Sequence, residues 1–207
     1  KDVLMQPIDT LMAFGLLSAM FSAFAFFPYA WDTLRGVCRP QRAAWFIWSV
    51  LASISFVAQI AEGATHSLWF AGVQTVGTLI IFTLSIKNGI GGFVNWSDVF
   101  VLIAAGAGLC LWTVTDEPVY ALVISIGISS LAGVVAVAKA HRAPMTETCS
   151  KWRLCLVASM LAMCAVGELD WLLLAYPLYL FILNGAMVVA IRLGRRRGNA
   201  AFPVQTA

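Results

Sequence analysis

The chain has 207 residues, of which 61% are hydrophobic and only 11% are charged, and its formal net charge is +3. A soluble domain carries about 25% charged and about 45–50% apolar residues. This composition excludes a soluble enzyme, a disordered regulator and a secreted disulfide scaffold, and the small net charge argues against a nucleic-acid partner. We therefore expect an integral membrane protein whose main partner is the lipid bilayer.

Seven apolar runs are candidates for crossing the membrane. A hydrocarbon core of about 30 Å needs about 20 mostly apolar helical residues. We predict an all-α fold with seven transmembrane helices, at residues 11–31, 43–61, 67–86, 99–115, 118–138, 152–168 and 171–191. The sixth run is the least apolar, and the charges of the connections decide whether it crosses.

Basic and acidic residues occupy alternate connections between the runs. Lys and Arg follow the first, third, fifth and seventh runs. The second, fourth and sixth runs are followed instead by acids, namely Glu62, the pair Asp116 and Glu117, and the pair Glu168 and Asp170. Every Lys or Arg except Lys1 falls on one side only if all seven runs cross. The positive-inside rule makes that side cytoplasmic. We expect a bacterial inner-membrane protein with its N-terminus outside and its C-terminus in the cytoplasm.

The two ends of the chain resemble each other at an offset of 104 residues. The offset pairs like residues at four places: Arg35 with Lys139, Pro40 with Pro144, Trp48 with Trp152, and Gly63 with Gly167. An odd number of spans per copy requires one additional helix if both copies are to point the same way. We predict a first three-helix bundle at 1–95, a linker helix at 96–116, a second parallel bundle at 117–194 and a cytoplasmic tail at 195–207.

This 3+1+3 plan resembles the SWEET and PQ-loop (MtN3-like) superfamily of seven-helix transporters. The segment Ser22–Tyr29, followed by Arg35, is similar to the first helix of that family, where a Pro-Gln pair kinks the helix before a basic loop. Here Tyr29 stands in place of the glutamine, and the aligned pair in the second half is Ala132-Gly133. The resemblance implies alternating-access transport of a small metabolite between the bundles, with Pro28 as a hinge.

Two mid-membrane amides are the first candidates for contact with a substrate. The resemblance implies polar residues lining the chamber in the third and seventh helices, where Gln74 and Asn184 lie. Phe56, Gln59 and Tyr179 are candidates for completing the wall. Each amide has an alternative role in a hydrogen bond between helices. The scarcity of charge in these spans favours a weakly charged cargo.

Three titratable residues are candidates for proton coupling. Asp32 lies one turn beyond Pro28, and the alternative for it is a local salt bridge with Arg35 or Arg39. Glu62 and His66 lie in an outer connection, where the alternative is a solvated turn. Histidine is the side chain whose ordinary pKa lies nearest to neutral pH.

The tryptophans allow two interpretations, one functional and one structural. Trp45-x-x-Trp48 is similar to a tryptophan pair in PnuC-type vitamin transporters. The structural alternative is the aromatic belt at the two membrane interfaces, which would include all the tryptophans close to span ends: Trp31, Trp45, Trp48, Trp69, Trp112, Trp152 and Trp171.

No motif of an enzyme, a metal site or a cofactor site occurs in the sequence, and the five cysteines contain no CxxC pair. The rival to transport is a non-transporting accessory subunit, or a receptor-like binder, that packs against a larger membrane complex. A homo-oligomer is compatible with either function.

Overall fold

The computed structural model describes residues 7–61, 63–90, 103, 114, 118–167 and 169–201. In this part of the chain six α-helices follow one another, with a 3-10 turn at Pro144–Thr146 before the fifth. They are α1 (Pro7–Leu34), α2 (Arg42–Ala61), α3 (Leu68–Asn88), α4 (Pro118–Arg142), α5 (Cys149–Val166) and α6 (Trp171–Ala201).

Each of the six helices contains a segment long and apolar enough to cross a membrane. The all-α class is therefore confirmed for the described residues, and six of the seven expected spans lie in helices that are long and apolar enough to cross a membrane. The span with the weakest hydropathy is among them, as Cys149–Val166. The expected span at 99–115 lies outside the described residues except for Ile103 and Val114.

Two glycines end helices in the same way. Gly63 (φ 74°) follows α2, and Gly167 (φ 79°) follows α5. In the left-handed region a glycine avoids the steric penalty of a Cβ atom, which is why it so often ends a helix. After α2 the backbone N–H of Ala64 donates to the carbonyl of Gln59, which closes the turn. These two glycines are one of the pairs related by the 104-residue offset.

The six helices pack in a closed ring. In order around the bundle, α1 contacts α3, α3 contacts α2, α2 contacts α4, α4 contacts α6, α6 contacts α5, and α5 contacts α1. This set of contacts is unchanged when α1, α2 and α3 are exchanged with α4, α5 and α6. Within each half the order across the ring is first, third and second helix.

The largest buried cluster spans both halves of the ring. It brings Phe26 and Trp45 together with Trp152, Met187 and Ile191. Close packing in the first half depends on Gly77 of α3, because a Cβ atom there would overlap the ring of Phe26 of α1. The core thus lies on the axis of the bundle and surrounds a central cavity.

Candidate functional site: a polar cavity on the bundle axis

A central cavity lies between α2 and α3 on one side and α4, α5 and α6 on the other. About 40 Å³ of it is open to the centres of water-sized spheres. A water needs at least about 10–15 Å³ by this measure, so the cavity has room for about three. Eight side chains of its wall carry a hydroxyl, an amide or an ammonium group: Ser55, Gln74, Thr78, Ser129, Lys151, Tyr176, Tyr179 and Asn184.

Three of the five expected substrate-binding residues meet at this cavity. Gln74 of α3 and Asn184 of α6 are buried, and both line the wall with Tyr179. Polar residues from the first and last thirds of the chain thus meet at one site. Phe56 and Gln59 are not in the wall.

Phe56 and Gln59 belong to α2 but lie on faces of the helix that do not line the cavity. Phe56 lines an open apolar groove that also includes Trp69 and Gly72. Gln59 is buried, and its side-chain Nε2 has no hydrogen-bond partner. The reason is the rotation of α2, which directs Ser55 rather than these two residues towards the axis.

The hydrogen bonds of the wall leave its amides available to a ligand. Asn184 Nδ2 donates to the carbonyl oxygen of Leu180 at 2.7 Å. Both residues belong to α6, so this hydrogen bond lies within one helix and is not the bond between helices given above as the alternative role. The hydroxyls of Ser129 and Tyr179 are 2.7 Å apart and join α4 to α6. The Gln74 side chain has no hydrogen bond to another described residue.

Three tryptophans form the aromatic part of the wall. Trp45, Trp48 and Trp152 are 2%, 8% and 2% exposed. The ring of Trp48 packs edge-on against Trp45 at a centroid distance of 5.4 Å and against Trp152 at 6.2 Å. The expectation that they belong to the interfacial belt is wrong, because their helices turn them inward. Trp31, Trp69 and Trp171 are exposed as expected, and Trp112 lies outside the described residues.

Lys151 is a functional candidate that the charge pattern of the connections does not reveal. It directly precedes the span expected at 152–168, among the basic residues of that connection, yet it is 5% exposed and lines the cavity from the first turn of α5. Its Nζ lies 3.5 Å from the ring centroid of Trp152, 5.2 Å from that of Trp45 and 5.5 Å from that of Phe26. A cation over aromatic faces is attracted by their quadrupoles.

One helical spacing in the sequence does indicate that Lys151 is buried. It is four residues before Cys155 and seven before Ala158, and this spacing continues through Ala162 and Ala165, all of them buried. Residues at such intervals share one helix face. The stripe of small residues predicts an inward face, and Lys151 is on it.

A buried polar layer closes the cavity at the end of the bundle that carries the basic connections. Lys139 Nζ and Glu147 Oε1 form an ion pair at 2.6 Å. Glu147 also accepts hydrogen bonds from Trp152 Nε1 at 3.1 Å and from the Tyr29 hydroxyl at 3.5 Å. The carboxylate therefore joins α1, α4 and α5 at one point, directly behind a tryptophan of the wall.

Cys38 lies beside this layer, in the connection between α1 and α2. Its thiol donates to the carbonyl oxygen of Thr146 at 3.3 Å. Burial, and secondly the negative charge of Glu147, raise the pKa of the Cys38 thiol above its ordinary value. The thiol is therefore a neutral donor at physiological pH, and its place in the layer is structural.

The candidates for hinge and proton coupling are separated along the bundle. Pro28 is half-buried inside α1, which continues through it to Leu34. Asp32, one turn on, accepts a hydrogen bond from the Thr148 hydroxyl at 2.7 Å. The expected salt bridge of Asp32 with Arg35 or Arg39 is wrong, since the guanidinium of Arg35 lies over the ring of Trp31 instead.

His66 is half-buried in the turn before α3, at the opposite end of the bundle. Its backbone packs against Gly15 of α1, where a Cβ atom would overlap the His66 carbonyl oxygen. Glu62, its expected neighbour, lies outside the described residues. In the described part of the chain no cluster of three His, Cys, Asp or Glu side chains could hold a metal ion.

Comparison with known proteins gives no match to a family model, to a curated protein or to a solved structure.

Proposed function

We propose that this protein is a small-metabolite transporter of the SWEET and PQ-loop type, and that the central cavity is its substrate chamber. The observation that carries the proposal is the polar wall itself, because buried polar side chains are costly in a membrane and mark pathways or binding sites. A bundle whose only task is to pack against other helices gains nothing from a water-sized polar void. The same wall argues against the accessory-subunit alternative.

The packing of the helices supports two equivalent halves. The contact ring is unchanged when the first three described helices are exchanged with the last three. Trp48 and Trp152, which the repeat makes equivalent, lie on the two sides of the chamber. In the proposed 3+1+3 plan the span at 99–115 is the linker between these halves. Alternating access follows as a rocking of one half against the other around a fixed site.

The small volume of the cavity fits an occluded state of such a cycle. Glu147, Lys139 and Trp152 close it at the basic end, and these residues belong to the second half of the chain. Opening at that end requires the contact between Tyr29 of α1 and Glu147 to break. Pro28 is one residue from Tyr29, and its missing N–H leaves the Phe24 carbonyl without its helical partner, which permits α1 to bend there.

A PnuC-like vitamin transporter is the second candidate. The observation that favours it is the burial of Trp45 and Trp48 in the wall, where their rings offer a surface for a flat cargo. The two candidates differ in cargo and agree on the site.

The decisive experiment is a ligand screen followed by uptake. A ligand that binds only the folded protein raises its apparent stability, so we expect at least one sugar, amino acid or vitamin to raise the melting temperature of the purified protein. Proteoliposomes should then take up that ligand, and Gln74→Leu should abolish uptake. Absence of any hit together with stable co-purification of a fixed partner would favour the accessory subunit.

The proposed orientation has its own test. Thr65 is exposed between α2 and α3, and Met145 is exposed between α4 and α5. A cysteine at Thr65 should react with an impermeant reagent only from outside, and one at Met145 only from the cytoplasm. Labelling of the Thr65 cysteine from the cytoplasm alone would invert the topology.

A further inference from the structure

Lys151 lines the cavity without an acceptor for its ammonium group. Its Nζ carries three N–H donors, and no described residue accepts a hydrogen bond from it or forms an ion pair with it. The groups around it are the faces of Trp152, Trp45 and Phe26. Aromatic faces attract a cation, yet they leave its hydrogen-bond donors unused.

The nearest acid does not neutralise Lys151. Glu147 is buried, and it holds Lys139 at 2.6 Å while accepting from Trp152 and Tyr29. No Asp or Glu is part of the cavity wall, and Lys151 is its one charged member among the described residues. The Lys139–Glu147 ion pair behind the wall is neutral as a unit, which leaves Lys151 as the one basic group of the wall, without an acidic partner there.

A buried ammonium group without a counter-ion is unfavourable, and an anion that pairs with it stabilises the charged form. The cavity has room for about three waters. The partner is therefore a small anion, and the rest of that anion contacts the remaining wall. Carboxylates form strong charge-assisted hydrogen bonds with ammonium groups. The tryptophans beside Lys151 suit a short hydrocarbon, and the amides and hydroxyls of the remaining wall suit polar substituents.

We propose that Lys151 binds the carboxylate of a short monocarboxylic acid in the chamber, so that the cargo is a small organic monoanion. This inference rests on the proposed function in one respect, namely that the cavity is the ligand site. The sequence favours a weakly charged cargo. The proposed cargo is instead a monoanion whose carboxylate pairs with Lys151. The size of the cavity restricts the occluded ligand to about the bulk of propionate.

The test compares propionate with propionamide, which has nearly the same shape and no charge. Tryptophan fluorescence of the purified protein reports binding, because three tryptophans line the site. Titrations are made at constant sodium chloride concentration and pH 7. We expect saturable quenching by propionate with an affinity at least about ten times that for propionamide, a difference of about 1.4 kcal/mol or more.

Two lysine variants locate the effect. In Lys151→Met the preference for propionate should fall to about one, whereas Lys87→Met, which removes an exposed lysine at the same end of the bundle, should retain it. Equal affinity of the wild-type protein for the two ligands would overturn the proposal, and so would an unchanged preference in Lys151→Met. The wild-type comparison decides even where Lys151→Met does not fold.

The outcome separates this inference from the proposed function. Binding of a neutral metabolite in the screen, together with indifference to propionate, would contradict the role of Lys151 and leave the transporter intact. Propionate binding without uptake by proteoliposomes would support the anion site and contradict transport. Saturation by chloride alone, with no competition from propionate, would also overturn the carboxylate assignment.

Discussion

Trp48 and Trp152 face each other at the centre of the bundle, with their ring centroids 6.2 Å apart and their planes at 73°. They are separated by 104 positions in the chain and lie on α2 and α5. Their indole N–H groups have different partners, since Trp152 donates to the Glu147 carboxylate at 3.1 Å and Trp48 to the Ser129 carbonyl oxygen at 3.4 Å. The two indoles thus form hydrogen bonds of unequal strength.

This inequality predicts unequal costs for the same substitution. Trp152→Phe should lower the free energy of unfolding by about 2 kcal/mol more than the loss of packing alone, because a hydrogen bond to a charged group is removed. Trp48→Phe removes a long bond to a neutral acceptor and should cost less than about 1 kcal/mol beyond packing. Unfolding in mixed micelles measures both variants, and equal losses would contradict the assigned role of Glu147.

The contact of Gly77 with Phe26 predicts that α1 and α3 tolerate no side chain there. Gly77→Ala places a methyl group on the buried ring of Phe26 and should destabilise the protein by about 1–3 kcal/mol through overpacking. Gly127 of α4 provides the matched control, because a Cβ atom there meets nothing within 4 Å. A lower melting temperature for Gly127→Ala than for Gly77→Ala would refute this packing.

Asn184→Leu separates binding from folding. Its side-chain N–H₂ group bonds to the carbonyl of Leu180 in the same helix, so the unfolding free energy should change by less than about 1 kcal/mol. Affinity for a ligand identified in the screen should fall at least about tenfold, since the amide lines the chamber. Gln59→Leu is the control, because Gln59 is a buried amide outside the wall. A loss of stability with unchanged affinity per folded molecule would remove Asn184 from the site.

The reactivity of the Cys38 thiol should depend on pH in a characteristic way. Since burial and Glu147 raise the pKa of its thiol, the reactive thiolate is scarce at pH 8 and should still be increasing above pH 9. Mass spectrometry after reaction with iodoacetamide between pH 7 and 10 measures the profile for each peptide. The cysteine of a Met145→Cys variant, at an exposed position, should follow the ordinary profile of a free thiol, with a midpoint at about pH 8.5. A plateau for Cys38 by pH 9 would contradict the raised pKa.

The membrane class and the six described spans were predictable, because length and hydropathy suffice to identify a transmembrane helix. The connection charges recovered even the span at Cys149–Val166, whose own hydropathy is weak. Gly63 and Gly167, which the 104-residue offset pairs, both have a positive φ, and a helix end that needs a left-handed residue favours glycine.

The inward faces were harder to predict, and the tryptophans show why. In a membrane the apolar residues point both to lipid and to the core, so hydropathy does not indicate the rotation of a helix. Trp31 and Trp45 both lie near span ends, yet the first is exposed and the second is buried. Lys151 was misassigned for a related reason, because counting charges by side ignores the face of the helix on which each charge lies.

A chamber that is reached from both sides of the membrane, as we propose for the polar cavity, should be open to a reagent applied on either side. Ser55 lines the cavity and Ser22 is equally buried outside its wall, so each is changed to cysteine in a cysteine-free background and reconstituted in proteoliposomes. An impermeant anionic methanethiosulfonate is applied to either side, and modification is counted by mass. We expect Ser55→Cys to react from both sides and Ser22→Cys from neither. If Ser55→Cys stays as unreactive as Ser22→Cys, the cavity is a sealed structural void and the transporter account is contradicted.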